Sequence, residues 1–266
     1  MKVGIIGLGF VGSAIYKSFD LKGIELVSYD KFKDGGIGTF EECLNADMLF
    51  LALPTLYNSE INEYDKSDLY EICQLLDDNH YQGTVIVKST VEPGTTDILS
   101  DKYNLNFIHN PEFLTARTAF EDFHSQTHIV LGKGKNCSDD NFQKVNDLFE
   151  KYYPDAEISH CTSLESESMK IFVNSYYSVK IQFFNELYLL CENNGYDYNI
   201  IKKLMLKNGW INPMHTDVPG PDGKLSYGGE CFPKDTSSLN SYMEKLNSPN
   251  EVLKATISER NKFRND

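Results

Sequence analysis

Through the first 130 residues, short runs of β-branched and other apolar residues alternate with helical stretches, in the order KVGIIG, IELVSYD, MLFLALPT, TVIVKST, LNFIHNPE and HIVLGK. That alternation leaves few folds open. Strands separated by helices pair in parallel, and a parallel sheet has to be covered on both faces. MLFLAL and TVIVK are apolar nearly throughout, as strands buried on two sides require. The expectation is an α/β fold, a doubly wound parallel sheet occupying residues 1–160.

Directly after the first run, Gly7, Gly9 and Gly12 form GLGFVG at the start of the first helical stretch. A tight turn at Gly7, bare backbone at Gly9 and close helix–strand packing at Gly12 would make a helix N-terminus able to take a pyrophosphate. A glycine triplet alone is weak evidence. Here the second strand ends in Asp30, eighteen residues past Gly12, where a carboxylate can accept hydrogen bonds from an adenine-ribose diol. Together these features indicate a Rossmann dinucleotide site. Asp30 would repel a ribose 2′-phosphate, which favours NAD, although Lys31 and Lys33 leave some room for NADP.

The pattern changes between Leu164 and Asn194, where Met169, Ile171, Phe172, Val173, Tyr176, Tyr177, Val179, Ile181, Phe183, Phe184, Leu187, Leu189 and Leu190 give helical spacing, apolar on more than one face. A helix of about 30 residues runs roughly 45 Å, more apolar length than a small domain buries. It is expected to link two parts of the protein and to pack against a second copy as a homodimer. A shorter helix from Tyr198 to Lys207 and a loop rich in Gly and Pro from Ile211 to Gly229 follow. Helices from Asp235 to Leu246 and Asn250 to Lys262 complete a smaller helical domain over 161–266.

Composition narrows the functional classes. A net charge of −14 argues against nucleic-acid or anionic-membrane partners, which need clustered Lys and Arg, so an anionic substrate requires a locally basic pocket. No apolar run approaches the roughly 20 residues that span a bilayer. Three glycines interrupt the opening MKVGIIGLGF, which speaks against an export signal and for a cytoplasmic protein. The six cysteines form no CxxC pair and have no nearby His at ligand spacing, so neither a metal site nor a disulfide framework is expected.

Residues 228–235 read GGECFPKD. Two glycines before Cys231 let the backbone bend to present a thiol, and Lys234 and Asp235 put polar groups beside it. An arbitrary cysteine is more often an inert packed thiol. This octapeptide, however, resembles the nucleophile motif of the UDP-glucose/GDP-mannose dehydrogenase family. GLGFVG, LALPT, KSTVEPG, HNPEFL and the helical segment from Lys170 to Asn174 precede it in the family's order, so the resemblance covers nearly the whole chain.

The resemblance implies a Rossmann domain, a dimerising helix and a catalytic loop. The implied reaction oxidises a sugar C6 alcohol twice with two NAD and one water, taking UDP-glucose to UDP-glucuronate without releasing the aldehyde. Cys231 would form a thiohemiacetal and then a thioester, Asp235 would orient a water or help deprotonate the alcohol, and Thr90 and Glu112 would hold and activate the hydrolytic water. Lys170 and Asn174, four apart on one helical face, would donate to the developing oxyanion, although such a pair taken alone is more often a solvated face. The cofactor set implied is Gly7, Gly9, Phe10, Val11, Gly12, Asp30, Pro54, Thr55, Ser89 and Thr90. The substrate set is Glu112, Phe113, Leu114, Lys170, Asn174, His215, Lys224, Tyr227 and Gly228.

Two departures qualify the match. Family members usually continue into a second Rossmann-like domain, whereas 35 residues follow Cys231, so a short form with looser hold on the nucleotide base is expected. The usually acidic stretch after NPEFL reads Thr115-Ala116-Arg117, and His215 stands where an Arg commonly reaches a neighbouring subunit's substrate. Lys224, His215 and Arg117 are candidates to replace the lost positive charge. The alternatives are another nucleotide sugar (a UDP-N-acetyl amino sugar or GDP-mannose), a two-electron 3-hydroxyacid dehydrogenase, or an inactive NAD-binding and dimerisation module.

Overall fold

A computed structural model describes residues 1–266. The chain runs β1 (Lys2–Ile6), α1 (Phe10–Leu21), β2 (Glu25–Tyr29), α2 (Phe40–Cys43), β3 (Met48–Leu51), β4 (Tyr57–Asn58), β5 (Glu63–Tyr64), α3 (Ser67–Asp78) and β6 (Thr84–Val87). It continues through α4 (Thr95–Lys102), β7 (Asn106–His109), α5 (Ala119–His124), β8 (His128–Lys133), α6 (Asp139–Tyr152) and β9 (Glu157–Thr162). The helices α7 (Ser163–Asn194), α8 (Tyr198–Leu206), α9 (Phe232–Lys245) and α10 (Glu251–Phe263) close it.

Seven strands form one sheet in the order β2-β1-β3-β6-β7-β8-β9. Side chains alternate across it. Phe50, Ile86 and Ile108 point into a core layer with Phe19, Phe123 and Phe149, while Leu49, Leu51, Val85, Val87 and Phe107 point into the opposite layer with Leu69, Leu76 and Leu99. Helices therefore cover both faces, as the continuous apolar runs required. The chain steps from β1 to β2 on one side and returns to β3 on the other, so the sheet has a switch point beyond the carboxyl ends of β1 and β3. That is where GLGFVG and LALPT leave their strands.

The sheet departs from the sequence reading twice. β8 pairs antiparallel with β7, because an apolar run such as HIVLGK specifies burial and carries no direction. β9, a half-exposed strand reading EISHCT, lies beside β8 at the sheet's edge and lacks the apolar pattern that would have announced it.

The chain divides into two compact units, Met1–Leu56 with Tyr64–Lys170, and Tyr57–Glu63 with Ile171–Asp266. The division falls inside α7, ten residues beyond the expected break at 160, and the short segment 57–63 joins the second unit. Within that unit the Tyr57 hydroxyl meets the Ser241 hydroxyl at 2.9 Å and Lys245 Nζ meets Glu63 at 2.6 Å, long-range contacts that no local pattern encodes.

The long helix is patterned unusually. Its Ser178, Gln182 and Asn185 are buried, tied at 2.7 Å to Thr236 Oγ1, at 2.5 Å to Ser226 Oγ and at 2.9 Å to the Ser226 N–H. Phe172, Tyr176, Phe183 and Leu190, spaced four, seven and seven, are 53%, 60%, 52% and 54% exposed. The helix thus turns polar groups inward and an apolar stripe outward. No helix is long and apolar enough to cross a membrane.

Candidate active site

In the first unit, α1 begins at Phe10 with Gly9 as its N-cap, so Phe10, Val11 and Gly12 fill the first helical turn and their N–H groups lack helical partners. Gly7 adopts φ +87°, and a Cβ at Gly12 would lie 1.8 Å from the Gly7 carbonyl oxygen. At Gly9 nothing lies within 4 Å of the Cβ position. A bare, open approach to free N–H groups is what a pyrophosphate needs, so this loop fits a dinucleotide.

Asp30 follows β2. Its Oδ2 accepts from Leu8 N–H at 2.6 Å, and its Oδ1 accepts from the N–H groups of Phe32 and Lys33 at 2.9 and 2.8 Å. Burial pushes the carboxyl up, but the donors from Leu8, Lys33 and Phe32, together with the Lys33 charge, outweigh it and hold the group below its ordinary value. An ionised Asp30 suits a ribose diol and repels a phosphate. Lys33 reaches further than the sequence indicated, its ammonium donating to Leu8 O at 2.6 Å and Ser13 Oγ at 2.8 Å beside the glycine loop.

Beyond β3 and β6, Ser89 Oγ donates to Leu53 O at 2.7 Å and accepts from Leu53 N–H at 3.0 Å, and Thr55 Oγ1 donates to Thr90 O at 2.7 Å. The two hydroxyls are thereby spent on fastening LALPT to KSTVEPG. Pro54 is exposed and Thr90 half-buried at the same edge.

Past β7, Glu112 is buried and held by two donors. Oε2 accepts from Leu114 N–H at 2.6 Å, and Lys170 Nζ lies 3.2 Å from Oε1 while donating to the Glu112 carbonyl at 2.6 Å. The Lys170 ammonium also sits 5.5 Å from the Phe113 ring centre, and Phe113 stacks on His128 with centroids 6.2 Å apart. A cleft of about 480 Å³ opens here, lined by Glu112, Phe113, Leu114, Phe123, Gln126 and His128 among others. Sequence reasoning missed Lys88, which is buried with Nζ 3.0 Å from Asn110 Oδ1 and 3.2 Å from Pro111 O. The KST motif drew attention only to its hydroxyls.

In the second unit, α9 starts immediately after Cys231, three residues before the expected Asp235, with Pro233 in its first turn. Half-buried Cys231 is the N-cap residue, and helix N-termini favour negative charge. Gly229 takes φ +78°, and a Cβ on Gly228 would strike the Arg264 guanidinium at 2.1 Å. One turn along α9, fully buried Asp235 accepts from Asn174 Nδ2 at 2.6 Å and Lys234 Nζ at 2.7 Å. A carboxylate held by an amide and an ammonium, one turn from a thiol, can orient a water or an alcohol and move a proton.

The remaining substrate candidates sit differently. His215 lies between Tyr177 and Phe232, with ring centroids 4.8 and 5.4 Å away. Burial and then the Lys180 charge push its pKa down, which favours the neutral ring and works against its expected role as a replacement cation. Tyr227 is buried, with Arg260 5.9 Å from its ring centre, and its hydroxyl is pushed up to about 12 by burial. Lys224 pairs with Asp266 at 3.2 Å in an exposed position, and Arg117 is exposed in a short turn.

Comparisons with known proteins identify the family. The model of the UDP-glucose/GDP-mannose dehydrogenase family's NAD binding domain matches residues 37–153, and that of the family's central domain matches 164–262. UDP-glucose 6-dehydrogenase of Campylobacter jejuni is 28% identical over 97% of this chain and 71% of its own. The enzyme of the same name from Rickettsia bellii is 30% identical over 82% of this chain and 50% of its own. The solved UDP-glucose dehydrogenase of Pyrobaculum islandicum shares the fold with a TM-score of 0.85 at 24% identity, covering 97% of this chain and 67% of that one. The fold and the family matches define a nicotinamide-dependent dehydrogenase carrying an NAD-binding domain. The chain belongs to the UDP-glucose/GDP-mannose dehydrogenase family and spans between half and seven-tenths of the length of the two relatives.

Proposed function

We propose that the chain oxidises the C6 alcohol of a nucleotide sugar to the carboxylate by four electrons, with UDP-glucose going to UDP-glucuronate. The observation that carries this is the arrangement around α9: Cys231 at the helix start and Asp235 one turn on, buried between Asn174 and Lys234. A dehydrogenase limited to two electrons has no use for that thiol. NAD, held by the Gly7–Gly12 loop and Asp30 with Pro54, Thr55, Ser89 and Thr90 alongside, would accept one hydride in each oxidation.

In the first oxidation Asp235 takes the alcohol proton, directly or through a water, as hydride leaves C6. The Cys231 sulfur then adds to the aldehyde carbon, while Lys170 and Asn174 donate to the carbonyl oxygen that gains charge. Loss of the second hydride from that carbon, with the proton brought by the thiol released to solvent, leaves a thioester on Cys231. Water held by Thr90 and Glu112 adds to that carbon, its proton passes to Glu112, the C–S bond breaks and the sulfur departs as thiolate. The backbone of Phe113, Leu114 and Gly228 and the side chains of His215, Lys224 and Tyr227 would contribute to holding the substrate.

The test is stoichiometry and product. Mixing the protein with NAD and a panel of nucleotide sugars should give two NADH per UDP-glucose and UDP-glucuronate as product; preference for a UDP-N-acetyl amino sugar or GDP-mannose would reassign the substrate but keep the chemistry. Cys231→Ala should stop at the aldehyde oxidation level and form no covalent adduct. Acid formed by that variant at near wild-type rate would refute the thioester route.

The outward apolar stripe on α7 supports a homodimer built on that helix, since exposed rings at one-face spacing with buried amides behind them are what a second copy would cover. Light scattering giving a monomer mass at assay concentration would refute this.

A further inference from the structure

β7 ends at His109, and the chain from Asn110 to Leu114 leaves the sheet without a strand partner of its own. It is nevertheless tied down at every residue up to Glu112. Asn110 N–H donates to Val87 O at 2.9 Å and its Nδ2 donates to Val130 O at 2.7 Å, which leaves Oδ1 free to accept. Lys88 fills that role at 3.0 Å and also donates to Pro111 O at 3.2 Å. The next carbonyl, that of Glu112, accepts from Lys170. Two buried lysines thus hold the carbonyls of consecutive residues, and the second of those residues, Glu112, lines the cleft.

Both peptide planes flanking Glu112 are consequently fixed, which sets the direction of its Cα–Cβ bond, and Leu114 N–H and Lys170 then hold the carboxylate at the end of that side chain. The cost is a buried charge. Burial drives Lys88 down to about 7, with the Glu112 charge opposing and the Lys170 charge adding to the fall. Neighbouring His109, buried with Nδ1 2.8 Å from Ser166 Oγ, is pushed to about 3 by burial and by Lys88, so its ring is neutral and adds no charge. A neutral side chain could fill the same volume at lower cost. A lysine retained here, with Nζ placed to donate to both Asn110 Oδ1 and Pro111 O, argues for a task that an apolar filler would not perform.

We propose that Lys88 is a positioning residue for thioester hydrolysis, acting through the Asn110–Pro111–Glu112 segment to aim the Glu112 carboxylate at the hydrolytic water. The inference rests on the reading of Glu112 as the group that takes the water's proton. It assigns Lys88 to the last step only: water oxygen bonds to the acyl carbon, the C–S bond breaks, and the proton ends on Glu112.

The experiment uses the full chain with NAD and UDP-glucose, comparing wild type, Lys88→Met, Lys88→Gln and Glu112→Gln by rapid quench and intact mass. Lys88→Met should lower kcat at least tenfold with the sugar KM within threefold of wild type, and should accumulate an acyl adduct on Cys231 after a burst of two NADH per site. Lys88→Gln, smaller and still a donor to Pro111 O, should fall between, and is judged by the same criteria if Lys88→Met does not fold. Adding Lys88→Met to Glu112→Gln should cost no further activity. Wild-type turnover without adduct in the folded Lys88 variants, while Glu112→Gln accumulates it, overturns the proposal. A proportional loss of both oxidations also overturns it, because that is the mark of a merely structural lysine. Normal hydrolysis by Glu112→Gln instead overturns the role given to Glu112, and the Lys88 assignment falls with it for that separate reason.

Discussion

Gly12→Ala and Gly9→Ala separate what the glycine loop does for the fold from what it does for the cofactor. A methyl at Gly12 would meet the Gly7 carbonyl oxygen at 1.8 Å and its carbon at 2.9 Å, both backbone atoms. Real Cβ atoms essentially never approach below 3.0 Å, so the turn must open by about 1.2 Å to accept the methyl. Hydrogen bonds from backbone N–H to an anion hold within a window of roughly 2.7–3.2 Å, so a shift of that size removes the loop's bonds to a pyrophosphate. Each bond to a charged group contributes about 1.5–3 kcal/mol, and losing two amounts to about 3–6 kcal/mol, or a rise in the NAD Kd of about 10²- to 10⁴-fold.

Overpacking should separately cost about 1–3 kcal/mol of stability in the Gly12 variant. Gly9 differs, since its φ of −61° suits any residue and its Cβ position is open. Gly9→Ala should therefore melt with the wild type yet bind NAD at least about tenfold more weakly, because the added methyl occupies the pyrophosphate approach. Calorimetric titration with NAD and a thermal melt of each variant decide the matter. Wild-type NAD affinity in Gly9→Ala, or in a folded Gly12→Ala, would refute the reasoning.

Glu167 on α7 caps α4, accepting from Gly94 and Thr96 N–H at 2.6 and 2.7 Å; burial raises its carboxyl from 4.5 to about 7, against the donors from Thr96 and Gly94. The folded state therefore keeps a proton that the unfolded chain releases, so this contribution is fully present below about 4.5 and is lost as pH rises through 7, up to about 3 kcal/mol. Glu167→Gln should flatten that decline in melts run from pH 4.5 to 7.5, and an unchanged slope would show that the group is ionised throughout. Asn174→Leu leaves the buried Asp235 without its amide donor and should cost about 1.5–3 kcal/mol in a denaturant melt, together with a fall in kcat. Phe183→Glu, placed in the exposed α7 stripe, should break the proposed α7 dimer and give a monomer in sedimentation while leaving the circular dichroism spectrum unchanged.

Much of the chain was legible because its signals are local. Burial on both faces of a strand shows as an unbroken apolar run, a tight turn shows as glycine, and the extent of α7 followed from spacing alone, within one residue of Ser163–Asn194. GGECFPKD likewise carries its own bend, in Gly229 at φ +78°, and its own helix start, in Pro233. What periodicity reports is how deeply a residue is buried. It does not say beside what.

Tertiary structure decided the partners. Lys170 meets Glu112 across 58 residues of sequence and Asn174 meets Asp235 across 61, pairings set by which elements the folded chain brings alongside α7. The same holds for Lys88, a lysine at the end of an apolar strand that reads as an ordinary strand terminus until Asn110 and Pro111 are seen against it. The direction of β8, the passage of 57–63 into the second unit and the placement of His215 between Tyr177 and Phe232 belong to this class too. Hydrogen bonds and ion pairs act over a few ångströms in space, and distance along the chain sets no bound on which groups are brought that close.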